Sequence, residues 1–572
     1  MPGSGTVPDH SSALLPADSL ALVPAADPAA PGAASVPGVA PAAAGPLSPR
    51  HAVPGWLPAA VSGLAGLVSG FYRLPVPSLW RDEAATIGAA GRPVPQIFAL
   101  LHHVDAVNGA YYLFMHPVVL ALGTSAAAVR LPSVAAIAVA AAFTAALGRR
   151  LAELAGLPAP ALTGLLAGLL FTAAPQVTRY AQEARAYGLV TMLATVATYL
   201  LVRALADDRW RWWAGYGVVI LLAGLFNAFS LLLVLAHGLS LLLARAQAAA
   251  WRPVPAAAPA ALVSPALVSP RQLARWGMTA ATATVALAPL LAAGYLQRAQ
   301  ISWVVRPHLG TIGRLVTGFA GSSALALPLA VIAACGIAAG MFPRREHALT
   351  PGLIAGPWLV APAVVLLAVS QVHPLFNPRY VLYSQPALAL LSAAGLSWIA
   401  GRAAGIPVAG LARPLAWLPP ALIMLIIIVL LAGPQQAVRR ASLAGNDNLR
   451  RVSAILAAHE RSGDAVLYLP GERRIASTAY PGAFRRLNDV ALGTTPLASA
   501  TLAGTEVSPA TLASRFSQVR RVWLVALASH GRLPKPAPGL DREKVALVRR
   551  MWLVRRWRAG TMIVCLFREL QP

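Results

Sequence analysis

Acidic residues and lysine are both scarce in this chain. Only 20 of its 572 residues are Asp or Glu, against 46 Lys and Arg, and lysine occurs only at positions 535 and 544. Charged residues make up 12% of the chain and hydrophobic ones 57%, with a mean hydropathy of +0.63. That balance excludes an ordinary soluble fold, which would leave far too much apolar surface in water. The two cysteines, Cys335 in an apolar run and Cys565 near the C-terminus, exclude a disulfide framework. Residues 1–50 carry no basic stretch leading into an apolar core, so they do not read as a secretory signal. Rich in Pro, Ala, Gly and Ser, residues 1–53 are expected to form a disordered cytoplasmic tail.

What the chain does have is apolar runs. They fall at 54–72, 131–148, 158–175, 187–203, 213–227, 228–246, 277–296, 322–342, 352–370, 381–400 and 415–433. About 20 apolar residues cross a bilayer as a helix, so a polytopic α-helical membrane protein with about 11 transmembrane helices is expected. The run 213–246 holds two helices only if the chain turns near Asn227. The net charge of +26 would suit a nucleic-acid binder, but much of it sits in short loops between these runs. There it orients the protein in the bilayer, and no nucleic-acid partner is expected. The preference for Arg over Lys, with abundant Ala, Gly and Pro, points to a GC-rich bacterial genome and hence a bacterial plasma membrane.

The loop arginines set the topology. Arg149-Arg150, Arg203 to Arg211, Arg245 to Arg275, Arg344-Arg345 and Arg402 to Arg413 all fall on one side, which the positive-inside rule makes cytoplasmic. The N-terminus is then inside and the C-terminus outside. Asp82, Arg179, Arg185, Arg306 and Arg379 share the outer face, although none of them entered that count. The scheme requires residues 110–122, which contain Tyr111, Tyr112, His116 and Pro117, to lie along the outer interface. A re-entrant or spanning segment is the alternative there. The tandem repeat at 261–265 and 266–270, Ala-Leu-Val-Ser-Pro twice, reads as a low-complexity linker within the cytoplasmic loop 247–276.

Three domains follow: the tail 1–53, a transmembrane domain 54–433 with an outer loop 73–130, and an extracytoplasmic segment 434–572. In the last segment Asn448 to Ala458 reads as a helix, and 464–469, 521–527 and 561–567 read as strands. A small, largely buried α/β sheet is expected.

The chemistry concentrates in the outer loops. Trp80-Arg81-Asp82-Glu83 places two carboxylates just after the first apolar run, and ionised groups at a bilayer edge are costly unless held by water or a partner. His102, His103 and Asp105 follow in the same loop. Later outer loops carry Thr178-Arg179-Tyr180-Ala181-Gln182-Glu183-Ala184-Arg185-Ala186-Tyr187 and His373-Pro374-Leu375-Phe376-Asn377-Pro378-Arg379-Tyr380. His102, His103, His116 and His373 show no zinc-ligand spacing, and neither metal nor cofactor is expected.

The order of these motifs is distinctive. An Asp-Glu loop follows one span, then comes a helix opening on Tyr111-Tyr112, then Val129-Arg130-Leu131-Pro132-Ser133, then the two Arg-Tyr segments. Over roughly residues 55–435 it resembles the GT-C glycosyltransferases, in the group of bacterial protein mannosyltransferases and lipid A aminoarabinose transferases. The resemblance implies transfer of a hexose or pentose from a polyprenyl-phosphate-linked donor to a hydroxyl on protein, lipid or glycan, at the outer face of the membrane. It implies Asp82 as general base, with inversion at the anomeric carbon, Glu83 as an orienting or sugar-binding group, and Asp105 as a second acidic residue. Arg379 with Tyr380, then Arg179 and Arg185, would hold the donor phosphate, since an arginine fork matches phosphate geometry. Arg81, His102, His103, Tyr111 and Tyr112 would line the substrate loop. A transporter or flippase for lipid-linked sugars is the alternative. Against it, no inverted repeat relates the two halves, and few ionisable residues lie inside the spans.

Overall fold

The computed structural model describes residues 54–250, 268–341, 349–403, 418–442, 447–528 and 538–570. The expected N-terminal tail, most of the tandem repeat and the loop around Arg344 lie outside these residues.

Helices fill the apolar runs. The first, α1 (Leu57–Phe71), has Pro58 in its first turn, where a missing N–H costs nothing. The next three, α2 (Arg81–Ala90), α3 (Val94–His103) and α4 (Gly109–Leu122), are short and lead to α5 (Ala126–Leu154). Small residues let α1 lie close on α5: a Cβ at Gly66 would come 3.0 Å from Ala138 Cα, and one at Gly70 2.8 Å from a Val134 methyl. The third run breaks into α6 (Pro160–Ala173) and α7 (Pro175–Ala181), bent by 66° at Pro175, because proline removes a ladder donor.

Two helices, α8 (Tyr187–Asp207) and α9 (Trp210–Phe226), come next. The chain turns at Asn227, whose Oδ1 accepts from Phe229 N at 3.1 Å, and enters α10 (Leu232–Ala250). The next helix, α11 (Pro270–Ala286), begins inside the expected linker. Ser269 and Gln272 form a capping box over it, so the repeat's second Ser-Pro is a helix start rather than a breaker. It bends by 43° into α12 (Ala288–Leu296). Helices α13 (Leu309–Ala320) and α14 (Ser323–Met341) meet at 77° around Gly321, at φ +83°, a conformation glycine adopts without strain. The last long helices are α15 (Pro351–Val369), α16 (Gln385–Ala403) and α17 (Leu418–Ala437), which runs past the expected boundary at 433. Among the described residues five helices are long and apolar enough to cross a membrane, or eight with each bent pair taken as one span. The chain is a multi-pass membrane protein.

The C-terminal segment adds α18 (Leu449–His459), β1 (Ala465–Leu469), α19 (Ile475–Ala479), β2 (Asn488–Asp489), α20 (Pro509–Phe516) and β3 (Arg521–Leu527). It ends with α21 (Leu540–Arg549), β4 (Trp552–Ala559) and β5 (Met562–Arg568). The strands form one sheet in the order β2-β1-β3-β5-β4, parallel from β2 to β3 and antiparallel beyond. Successive residues of a strand face opposite ways, and both faces are covered. Val466, Tyr468, Trp523 and Val525 pack with Leu449, Val452 and Leu456 of α18, in a core continuous with Ala84 and Ile87 of α2. Leu467, Val522 and Leu524 pack with Leu512 of α20 and Val548 of α21. Strand β4 is the main departure from expectation. Its exposed edge carries Arg555, Arg556 and Arg558, so it lacks the apolar run that marks the buried strands.

Candidate active site

Asp82 and Glu83 share the first turn of α2, where the helix dipole favours negative charge, but their surroundings diverge. Glu83 is fully buried and forked to Arg130 of α5, with Nε to Oε1 and Nη2 to Oε2 both at 2.8 Å. Its Oε1 also accepts from Ala184 N at 2.9 Å. Arg130 completes its donor set on the carbonyls of Leu74 (2.9 Å), Pro77 (3.0 Å) and Ser78 (3.3 Å). This pair therefore ties together the loop before α2, α2 itself, α5 and the turn after α7. Both Glu83 oxygens are already engaged within the fold.

Asp82 is partly exposed and paired across the fold. Its Oδ2 lies 2.9 Å from Arg379 Nη1, and Oδ1 lies 3.5 Å from Arg81 Nε. Thr86 Oγ1 donates to the carbonyls of Asp82 and Ala184, both at 3.1 Å, and so fixes this turn against the Glu183 segment. Arg379 opens the 3-10 turn Pro378–Ser384, where Asn377 Oδ1 accepts its backbone N–H at 3.3 Å. Its guanidinium lies 5.6–6.0 Å from the ring centroids of Trp80, Tyr187, Trp303 and Tyr380. Arg379 Nε is buried without a hydrogen-bond partner among the described residues.

Beside this pair opens a cavity of about 580 Å³. Arg81, Arg179, Arg314 and Arg379 line it, with Gln176, Thr317, Asn377 and Trp303, and Glu183 as the single acid. Arginine keeps its charge at any working pH, so the cavity wall is strongly cationic. Burial pushes the Glu183 carboxyl up to about 7; Arg179 pulls it down, and Glu83 pushes it up again.

Asp105 stands in a neighbouring group. Its Oδ2 accepts from Tyr112 Oη at 2.6 Å, and Arg185 Nη2 donates to Asn108 Oδ1 at 3.2 Å. Burial works against the Arg185 charge, but Asp82 is the largest of the influences that hold it above its usual range. Asp105 is at φ +60°, and Gln300 and Gln297 accept the backbone N–H groups of Asp105 and Ala106 at 3.2 and 2.8 Å. Tyr111 is buried and packs edge-on against Phe226 at 6.5 Å. His102 and His103 are exposed at the end of α3, and His116 Nδ1 lies 2.8 Å from Ala90 O.

Of the residues singled out in the sequence, the structure brings Asp82, Arg81, Arg379, Tyr380 and Arg179 to one place. Arg185 and Asp105 adjoin it. It leaves His102 and His103 at the surface. Three residues were passed over. Arg130 and Glu183 lie inside the quoted motifs without an assigned role. Arg314 sits on amphipathic α13, and its signal was an arginine one turn from Thr311 and Thr317 between two apolar runs.

The C-terminal segment grips the same loop. Leu79 N donates to Tyr480 Oη at 3.1 Å, and Arg450 donates to Ser78 Oγ and Val76 O at 3.0 and 3.1 Å. Ser78 N donates to Ala441 O at 3.1 Å, and Arg92 Nη2 to Thr501 O.

Comparison with known proteins agrees with this architecture. Residues 110–273 match the family profile described as dolichyl-phosphate-mannose-protein mannosyltransferase. ArnT from Cupriavidus metallidurans, solved bound to undecaprenyl phosphate, superposes with a TM-score of 0.51 at 15% identity, covering 90% of this chain and 98% of that one. The apo structure of ArnT gives 0.50 at 14% identity, covering 88% and 97%. The oligosaccharyltransferase AglB from Archaeoglobus fulgidus, in complex with an inhibitory peptide and a dolichol-phosphate, gives 0.42 at 11% identity, covering 89% and 74%. No curated protein sequence matches the chain. The fold is that of the GT-C glycosyltransferases, as the motif order implied.

Proposed function

We propose that this protein transfers a sugar from a polyprenyl-phosphate carrier to a hydroxyl acceptor at the outer face of the plasma membrane. The observation that carries the reading is the 2.9 Å pair of Asp82 with Arg379, at the edge of an arginine-lined cavity of about 580 Å³. It sets a proton acceptor beside an anion site, which is what displacement of a lipid phosphate by a hydroxyl needs. The family profile and the undecaprenyl phosphate bound to ArnT support a lipid-linked donor.

In this mechanism the donor phosphate occupies the cavity against Arg379, Arg179 and Arg314. Arg185 and Asp105, with Tyr112, border the acceptor side. The acceptor oxygen attacks the anomeric carbon as Asp82 takes the hydroxyl proton. The bond from the anomeric carbon to the phosphate oxygen breaks, and the electron pair leaves with the phosphate, giving inversion. Fixed guanidinium groups stabilise the charge that develops on that oxygen without reorganising during the reaction.

Arg379 tests the donor half. Arg379→Ala removes charge-assisted hydrogen bonds worth roughly 1.5–3 kcal/mol each, so the KM for the lipid-linked donor is expected to rise at least tenfold. Arg379→Lys is expected to recover only part of this, because a point charge replaces the fork. Unchanged donor kinetics in Arg379→Ala would remove this residue from the site.

The proposed topology has about 11 spans, the eight long or bent ones together with shorter apolar helices such as α1 and α9, with residues 1–53 inside and 73–130 and 434–572 outside. Exposed Ala498 tests it. In a background lacking Cys335 and Cys565, a membrane-impermeant thiol reagent added outside the cell is expected to label Ala498→Cys. Labelling only after the cytoplasmic side is opened would invert the scheme.

A further inference from the structure

Glu183 lies in the cavity wall beside Arg179 and Arg379, and the ion pairs described above leave it out. The residue is only 3% exposed, and its Oε1 is buried with no hydrogen-bond partner among the described residues. An ionised carboxylate in that state is far more costly than a carboxylic acid. The backbone on either side is pinned: Ser133 Oγ donates to Glu183 O at 2.8 Å, and Ala184 N to Glu83 Oε1 at 2.9 Å. The side chain therefore has little freedom to swing out to water.

The groups that act on this carboxyl come from five elements. They are Asp82 and Glu83 on α2, Tyr111 on α4, Arg130 on α5, Arg179 and Tyr180 on α7, and Arg379 in the 3-10 turn. Arg314 of α13 faces the same space. Glu83 is committed to Arg130, and Asp82 is held by Arg379. Among the described residues Glu183 is the acid of this set without an ion pair, and it lines the cavity. Burial and the two neighbouring carboxylates place its titration at about 7, against the pull of the arginines, so both forms are accessible near neutrality.

We infer that Glu183 meets the donor phosphate as a carboxylic acid and donates its O–H to a phosphate oxygen, while the surrounding arginines supply the charge. The inference rests on the reading that this cavity takes a lipid-linked phosphate. The proton stays on Glu183, and no covalent step is involved. An ionised Glu183 would present a lone pair and a like charge to the phosphate. Conversely, an anion in the cavity makes ionisation of Glu183 harder still. The sign of the coupling follows. Above pH 7 the free protein has lost this proton and the complex has regained it, so each binding event takes up one proton and affinity falls with pH. Below that range both states hold the proton, and affinity is level.

The test is equilibrium binding of a short-chain polyprenyl-phosphate hexose, acceptor omitted, between pH 6 and 8.5. This donor is a phosphodiester with no group of its own titrating there. Wild-type Kd is expected to be level up to pH 7 and to rise about tenfold between pH 7.5 and 8.5. In Glu183→Gln the amide N–H replaces the acid O–H, so the pH dependence disappears and the variant outbinds wild type at pH 8.5. Uptake of about one proton per donor bound by wild type at pH 8.5, measured in weakly buffered solution, reads the same linkage without a variant. An unchanged pH slope in Glu183→Gln, or no proton uptake by wild type, would overturn the role of Glu183 and leave the proposed function standing. No binding of the diester at any pH would overturn both.

Discussion

Replacing Asp82 with asparagine is expected to lower sugar transfer about 10²–10⁴-fold, the range typical of a lost general base, in a protein that still folds. The substitution keeps the size of the side chain, and its amide oxygen can still accept from Arg379 Nη1, now 2.9 Å from Oδ2. It cannot take a proton from the attacking hydroxyl. Donor binding, carried by the cavity arginines, is expected to stay within a few fold of wild type, so the loss falls on kcat. Asp105→Asn is the control: its carboxylate is bonded to Tyr112 and not to Arg379, so it is expected to do less. The measurement is turnover of each purified variant, with donor affinity and thermal unfolding alongside. Near wild-type turnover by folded Asp82→Asn would reject Asp82 as the base, and Asp105 would take its place as the candidate.

Arg130→Ala is expected to destabilise the protein by about 3–5 kcal/mol, because it leaves Glu83 as an uncompensated buried charge. The same change strips donors from the carbonyls of Leu74, Pro77 and Ser78. Glu83→Ala is expected to cost a similar amount for the mirror-image reason. The double variant Glu83→Gln/Arg130→Met is expected to recover part of the loss, since an isolated buried charge costs more than a buried neutral pair. Unfolding in detergent, by heat or denaturant, reads these values. Single variants each within 1 kcal/mol of wild type would show that the pair does not hold the loop. Activity should fall with stability here although neither residue reaches the cavity.

The helical architecture was legible because a span of the right length announces itself by composition alone. The turn at Asn227 was legible because two spans cannot fit in one run without a break. The start of α11 is masked in the sequence because proline within a segment breaks a helix; at the first helical position, behind a Ser cap, it begins one. Strand β4 escaped because an edge strand is guarded by charge and needs no apolar run. In the candidate site, residue types within the loop motifs single out Asp82 and Arg379, which lie 297 positions apart in sequence and meet in the fold. What was not visible is that Glu83 is sealed while Asp82 stays partly exposed, because this depends on Arg130 reaching one carboxylate and not the other. The unpartnered Oε1 of Glu183 among the described residues was equally hidden, since it is a property of the folded surroundings.

The grip of the C-terminal segment on the Asp82 loop bears on how the protein is made. The partners of Ser78 and Arg92 lie 372 and 409 residues further along the chain. At roughly 5–20 residues per second, the ribosome delivers them some 20–80 s after the loop itself. Through that interval the nascent chain carries Asp82 on a loop still lacking its latch. A chain arrested before residue 441 would therefore insert its helices with the Asp82 loop still unset.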